Sequence, residues 1–335
     1  MSIRPAILLF LIIPLWAQAQ FERLINNKDI IWAAKVETIV TFDVINSTLP
    51  PQLLESLSVK AIQDHPEAPL PEPFTEKLTR MIRQGAFPAY ADKALQHPLT
   101  PAEARARMFA ADTVVVFDPE TYEEKLHIIS SDLLGATPFF ITQQLWLYNG
   151  KANELETIAL SIAPAIESPG QAGEYQPLVW YKLPPPRKNL FNLKSSAVQF
   201  VTYTRYDISE EQIEVLKGKQ TPLKKILIER FKAGELMGYD QKRQPLGPAS
   251  TQDIFIHQDT IVTFDPETYE EKVQVVRFEF GPIDIADFRV QQNWFFAPSH
   301  HSLQCSTLAV GPAIPIIDEY GSQLALRPLF FWRRE

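Results

Sequence analysis

The side chains best suited to chemistry lie in Phe117-Asp118-Pro119-Glu120-Thr121-Tyr122-Glu123-Glu124-Lys125, where four carboxylates offer oxygen ligands for a hard cation or a pair of groups for acid–base work. The same nine residues return unchanged as Phe264 to Lys272. Turn chemistry accounts for much of this composition, because Asp-Pro-Glu-Thr suits a type I turn with Asp at the first position and Pro setting φ at the second. Glu-Glu-Lys then continues along a strand, where successive side chains point to opposite faces and do not converge on one ion. The stretch reads as a hairpin tip.

Other chemistry lacks its signatures. His300-His301 falls in a connection where the first copy has Asn149-Gly150-Lys151, and adjacent histidines in a turn are usually solvated. There is no H-E-x-x-H, paired C-x-x-C or G-x-S-x-G. Glycine is scarce at 12 residues against 28 prolines, and no glycine-rich phosphate loop occurs. Cys305 is the only cysteine, so an intrachain disulfide is impossible, and its expected role is a small buried hydrophobe on a strand spanning Leu303 to Val310. A cofactor is not expected.

The elements that must position these residues repeat with the nonapeptide. Thr113 to Phe117 and Tyr122 to Ile129 are rich in β-branched and aromatic residues and predict two strands meeting at the turn. With a four-residue loop, Phe117 faces Tyr122 and Val115 faces Glu124. The Phe/Tyr side stays apolar in the second copy through Val262, Phe264, Tyr269 and Val273, and it is expected to be the core side.

Upstream, Phe74, Leu78, Met81 and Ile82 have helical spacing and stop at Gly85; Leu223, Leu227 and Phe231 do the same before Gly234. Thr221-Pro222 predicts an N-cap followed by proline at the first helical position. Val40-Thr41-Phe42 aligns with Val201-Thr202-Tyr203 as the first strand of each copy. Downstream, the Leu145 to Tyr148 region matches that of Trp294 to Phe296, Leu160 to Ile166 matches Leu308 to Ile314, and Leu178 to Lys182 matches Leu329 to Arg333.

Each copy therefore reads strand, helix, hairpin, then two or three more strands. The fold class is α+β: two tandem homologous domains, each a mostly antiparallel sheet with one main helix. The expected boundaries are a leader at 1–19, a first repeat at 20–188 and a second at 189–335. Pro184-Pro185-Pro186-Arg187 forms a stiff connector, and the proline-rich insert from Pro50 to Pro73 a surface loop.

Met1 to Gln20 has the form of a secretory signal, with Arg4, an apolar run from Ala6 to Trp16 and Ala17-Gln18-Ala19 as a small-x-small cleavage site. Export is expected. Composition is that of an ordinary globular protein, 45% hydrophobic and 21% charged, with a formal charge of −8 and no basic run, which argues against nucleic-acid binding through phosphate neutralisation. Trp146, Trp180, Trp294 and Trp332 recur at corresponding places. Most such residues belong to a core, and those that reach the surface are interaction anchors. Trp146, Tyr148, Trp294, Phe296, Glu123 and Glu270 make up the candidate interaction surface.

Val290-Gln291-Gln292-Asn293-Trp294-Phe295-Phe296, followed by Leu308 to Pro312 and Leu329 to Trp332, resembles the core of the GldN/PorN family of periplasmic gliding-motility and type IX secretion proteins. The first copy repeats the pattern and ends in Leu178-Val179-Trp180-Tyr181, then Pro186 and Arg187, similar to that family's aromatic-Pro-x-x-Arg ending. Ile30-Ile31-Trp32 leading into Val36 to Asp43 resembles its opening, and Phe74 to Tyr90 its middle. The family pattern has one unit and a longer helix-prone tail, whereas this sequence has two units and stops at Glu335.

The resemblance implies assembly rather than catalysis. It implies a periplasmic subunit that carries no catalytic residues, self-associates, and packs with a GldK/PorK-like outer-membrane lipoprotein and a GldM/PorM-like protein. Two rival classes are a secreted β-rich module binding glycan or peptide through exposed aromatics, and an envelope hydrolase with converging carboxylates in a deep pocket.

Overall fold

Along Ile30–Thr41 the side chains of Trp32, Ala34, Val36, Thr38 and Val40 point to one side and are buried, the period of two that makes this stretch a strand with one face on a core. A computed structural model of the chain describes residues 21–42, 74–117, 124–135, 139–168, 170–171, 173–184, 200–247, 253–264, 266–268, 270–285, 287–297, 302–317 and 323–333. The expected leader, the insert, the boundary at 188/189 and His300-His301 lie outside the described residues.

The first unit comprises β1 (Ile30–Thr41), α1 (Phe74–Arg83), β2 (Ala89–Tyr90), α2 (Pro101–Arg107), β3 (Phe109–Phe117), β4 (Glu124–Asp132), β5 (Phe139–Asn149), β6 (Glu154–Glu167), β7 (Tyr175–Pro177) and β8 (Trp180–Lys182). The second comprises β9 (Phe200–Ser209), β10 (Ile213–Lys217), α3 (Leu223–Lys232), β11 (Gly238–Tyr239), β12 (Ile256–Phe264), β13 (Glu271–Glu279), β14 (Asp287–Ala297), β15 (Ser302–Ile317), β16 (Gln323–Pro328) and β17 (Phe331–Arg333).

The first sheet runs β1-β5-β6-β8-β2 with β7 beside β6, and the second runs β9-β14-β15-β17-β11 with β16 beside β15, so the two units have the same strand order. Every described pair is antiparallel. The architecture is α+β and sheet-dominated, in two sheet-rich halves. Even an irregularity recurs: the ladder shifts by one residue between Gln143 and Gln144 against β6, and between Gln291 and Gln292 against β15. Leu160 and Leu308 are the extra residues, a bulge that turns the strand at the same place in both sheets.

Three points of this topology differ from the sequence reading or go beyond it. Val40 lies opposite Phe140 in the first sheet, and the equivalent place opposite Phe288 is held by Ile208, so the β1 and β9 alignment is seven residues away from Val40 with Val201. A shift of seven is odd and exchanges the two faces of the strand, so three residues of alternation do not fix the alignment and only the partner strand sets the register. Second, β10 leaves the second unit and pairs with β1, setting Ile213 opposite Val36 and Lys217 opposite Ala33. The halves are thus stitched together rather than strung as separate beads. Third, the N-cap of α3 is Pro222 instead of Thr221; Pro222 keeps an extended ψ of 151° and its carbonyl accepts the first helical bonds from Lys225 and Ile226.

The helix stops are as read from sequence. Gly85 and Gly234 follow α1 and α3 with φ of +71° and +74°, the left-handed conformation in which glycine carries no Cβ penalty. Helix α2 is an addition to the expected elements, and Thr100-Pro101-x-Glu103 at its start is a capping-box sequence. Thr100 Oγ1 accepts from the Glu103 backbone N–H, and the Glu103 carboxylate accepts from the Thr100 N–H at 2.8 Å.

The two sheets pack through cores drawn from both units. One cluster joins Trp32, Trp146 and Tyr148 of the first sheet to α3 and to Phe288, Val290 and Trp332 of the second. The other joins α1, Phe42 and Phe140 to Trp294, Leu303 and Cys305. Trp146 and Trp294, equivalent in the repeat, thus each share a cluster with the other unit's helix. This reciprocal packing gives the chain an internal pseudo-twofold arrangement.

Candidate interaction site

The aromatic anchors expected at a surface are inside. Trp146, Tyr148 and Trp294 are each 0% exposed, which corrects their assignment to an interaction surface. Their strand positions face the opposing sheet, and burying three large rings there contributes far more than exposing them. Phe296 is placed by its register opposite Leu303 and Phe200 on β14. Glu123 lies outside the described residues, and Glu270 is exposed beside the second hairpin.

Between the sheets runs a seam of buried polar groups. Gln292 Nε2 donates to Gln144 Oε1 at 2.8 Å, and Gln144 Nε2 donates back to Gln292 Oε1 at 3.3 Å. Gln144 Oε1 also accepts the Trp146 indole N–H at 3.0 Å, and its amide nitrogen reaches Thr142 Oγ1 and the Tyr206 hydroxyl, each at 3.2 Å. Gln292 continues to Thr307, and Thr307 to Thr157 at 3.1 Å. Trp294 donates to Thr204 at 3.2 Å.

Cys305 lies beside this seam, buried as expected, and burial pushes its thiol up to about 12. Burial likewise holds the Tyr206 phenol well above its usual range, with Cys305 adding to the shift. The seam is made of amides, hydroxyls, indoles and a protonated thiol. None of these ionises near neutral pH, so its chemistry is that of a fastener for two sheets.

A cleft of about 420 Å³ opens where β10 ends along β1. Its Glu37 carboxylate accepts from Gln143 Nε2 at 3.0 Å and pairs with Lys93 at 3.5 Å. Lys35 and Glu214 also line it, giving a mixed-charge surface groove. Among the described residues there is no group of three or more His, Cys, Asp or Glu side chains arranged to hold a metal ion.

The repeated nonapeptide caps two ribbons that stand apart from the sheets, β3–β4 and β12–β13. Each ladder closes two residues later than expected, with Phe117 opposite Glu124 and Phe264 opposite Glu271. A two-residue shift keeps every side chain on its expected face, because the period is two. What changes is the environment of that face. The Phe/Val side of the second ribbon is solvent-exposed, with Val262 at 49%, Phe264 at 62%, Val273 at 66% and Val275 at 64%, and Val115 is exposed in the first. The expectation that this side is core is overturned: among the described residues the two sheets share their cores with each other, and these ribbon side chains stay exposed.

The ribbons are nevertheless rooted in the same way. Arg83 at the end of α1 pairs with Asp132 at the end of β4, and the equivalent Lys232 at the end of α3 pairs with Glu279 at the end of β13 at 3.2 Å. Inside each root, Met108 and Leu134 join one core cluster and Phe255 the other. The site geometry is thus a pair of similar ribbons on one body. Of the carboxylates that looked like a site in sequence, the described ones, Glu124, Glu267, Glu270 and Glu271, are exposed.

Comparison with individually characterised proteins returns no match. The family model described as gliding motility associated protein GldN matches the chain twice, over residues 25–206 and 197–333. The two matches correspond to the two units traced by the strand order. The chain therefore belongs to the GldN family of gliding-motility and type IX secretion components, as a tandem duplication of its unit.

Proposed function

We propose that the chain is a non-enzymatic structural subunit of this machinery, working in the periplasm and assembling with a GldK/PorK-like outer-membrane lipoprotein. A GldM/PorM-like protein and further copies of the chain complete the set of expected neighbours. The observation that carries the reading is the double family match, and the architecture is consistent with it. Two homologous sheets are clamped by a seam that carries no charge near neutral pH, and exposed apolar surface is concentrated on the ribbons. Such a body suits presenting repeated contacts, and contacts of that kind between subunits close into rings when the rotation permits. The glycan-binding alternative loses its aromatic platform, because Trp146, Tyr148 and Trp294 are buried.

The test is fractionation of cells producing the tagged chain, followed by affinity purification from solubilised envelopes. The tagged chain is expected in the periplasmic and outer-membrane fractions, bringing down the lipoprotein. A chain that stays cytoplasmic, or a strict monomer recovered without the lipoprotein, rules the reading out.

A further inference from the structure

The ribbons hold the largest concentration of exposed apolar side chains among the described residues. Val262 lies directly opposite Val273, with Thr260 opposite Val275 one step toward the base and Phe264 opposite Glu271 one step toward the tip. All six share a face. Its apolar positions are repeated in the first ribbon at Val115, Phe117, Leu126 and Ile128, the last two again opposite Val115 and Thr113. The other face does not keep its character: Val116 is replaced by Thr263 and His127 by Gln274.

A two-stranded ribbon standing alone is marginal in water, and clustered exposed apolar side chains mark contact surfaces. The charge around the patch narrows what covers it. Each nonapeptide contains four acidic residues and one lysine. In the second ribbon Glu271 is exposed directly opposite Phe264, and Glu270, next toward the tip, is exposed as well. Two such tips repel one another, so face-to-face stacking of ribbons from two copies of the chain is opposed at its distal end. A partner with an apolar strip ending in lysine or arginine side chains meets both features of the face.

We propose that each ribbon docks one copy of the same protein partner through this face, so that one chain binds two partner molecules, the partner's surface being apolar with a basic margin. The pseudo-twofold arrangement, the identical tips and the matching ion pairs at the two roots present two equivalent sites on one body. This inference rests on the assembly reading above and names the surface and stoichiometry that it uses.

The experiment takes the full mature chain and, as probe, the purified GldK/PorK-type lipoprotein freed of its acyl anchor. Masses of the complexes are measured by sedimentation. The wild-type chain is expected to bind two probe molecules. Val262→Lys with Glu271→Lys is expected to leave one, Val115→Lys with Glu124→Lys likewise one, and all four together none, with thermal melting points unchanged because each of these side chains is exposed. Val273→Thr with Val275→Thr, which removes apolar surface without adding charge, should weaken the second site roughly tenfold, the scale of a lost contact residue at an interface. Variants that bind like wild type, or a wild-type complex holding one probe molecule and indifferent to the ribbons, overturn the inference while leaving the assembly reading intact. A wild-type chain that fails to bind the probe overturns both.

Discussion

Gln144 and Gln292 occupy the same place in the two units, next to the same bulge, and hydrogen bond amide to amide across the seam between the sheets. Their pairing makes the internal duplication a physical contact. A primary amide supplies two donors and two acceptor lone pairs, so one residue type can satisfy itself across a pseudo-twofold axis.

Replacing Gln144 by Leu removes the acceptor of the Trp146 indole N–H and the donor to Gln292 Oε1 and to the Tyr206 hydroxyl, while Gln292 Nε2 keeps Thr307. The expected loss is about 3 kcal/mol, the scale of leaving buried polar groups unpaired. Gln292→Leu should cost less, because fewer groups depend on it. The double variant should be more stable than the sum of the two losses implies, since each single change removes the partner of the other's amide across the seam. Chemical denaturation of all three checks this, and simple additivity would show that the amides are not coupled.

Trp146→Ala and Trp294→Ala remove equivalent buried rings, one from each shared core. Each is expected to cost about 4 kcal/mol, within the range for emptying a large aromatic site. Both should destabilise the whole molecule in one transition, because each tryptophan packs in a cluster containing the other unit's helix. Two separated unfolding transitions in a calorimetric scan would contradict a joint core.

Alkaline pH should weaken the fold. Burial raises Cys305 to about 12 and lifts the Tyr206 and Tyr181 phenols above their usual range. A group raised in the folded state binds its proton more tightly there than in the unfolded chain. Its stabilisation is therefore complete below the unfolded pKa, about 8.5 for a thiol and about 10 for a phenol, and is lost as pH climbs toward the folded value. Melting temperature should be insensitive to these groups near neutrality and fall above about pH 9. Cys305→Ala should move the onset toward about pH 10. A melting temperature that rises from pH 8 to pH 10 would refute the assignment.

Gly238→Ala should destabilise by about 2 kcal/mol, the typical scale of overpacking. A Cβ at Gly238 runs into the Phe231 ring, which is itself stacked on Phe330 at 4.0 Å and has little room to retreat. Gly247→Ala, where an added Cβ would meet no described atom within 4 Å and φ is not positive, should change the melting point little. Equal melting points for the two variants would mean that the Phe231–Phe330 stack yields.

Much was legible without coordinates because it depends on neighbours in the chain. The nonapeptide declared the duplication, helical spacing ending at Gly85 and Gly234 marked α1 and α3, and period-two alternation marked the strands and sorted their side chains into faces. The capping box of Thr100 and Glu103 is likewise a local signal, and it marks the start of α2.

Tertiary structure decided which of those faces is covered. Alternation says that Val262 and Phe264 share a side, but whether that side meets a core depends on what else competes for it, and the two sheets satisfy one another first. The burial of Trp146 and Trp294, the crossing of β10 onto β1, the register of β9 and the meeting of Gln144 with Gln292 all join residues far apart in the chain. Local propensity carries no information about such pairings. They are chosen by which surfaces lose most water when they come together.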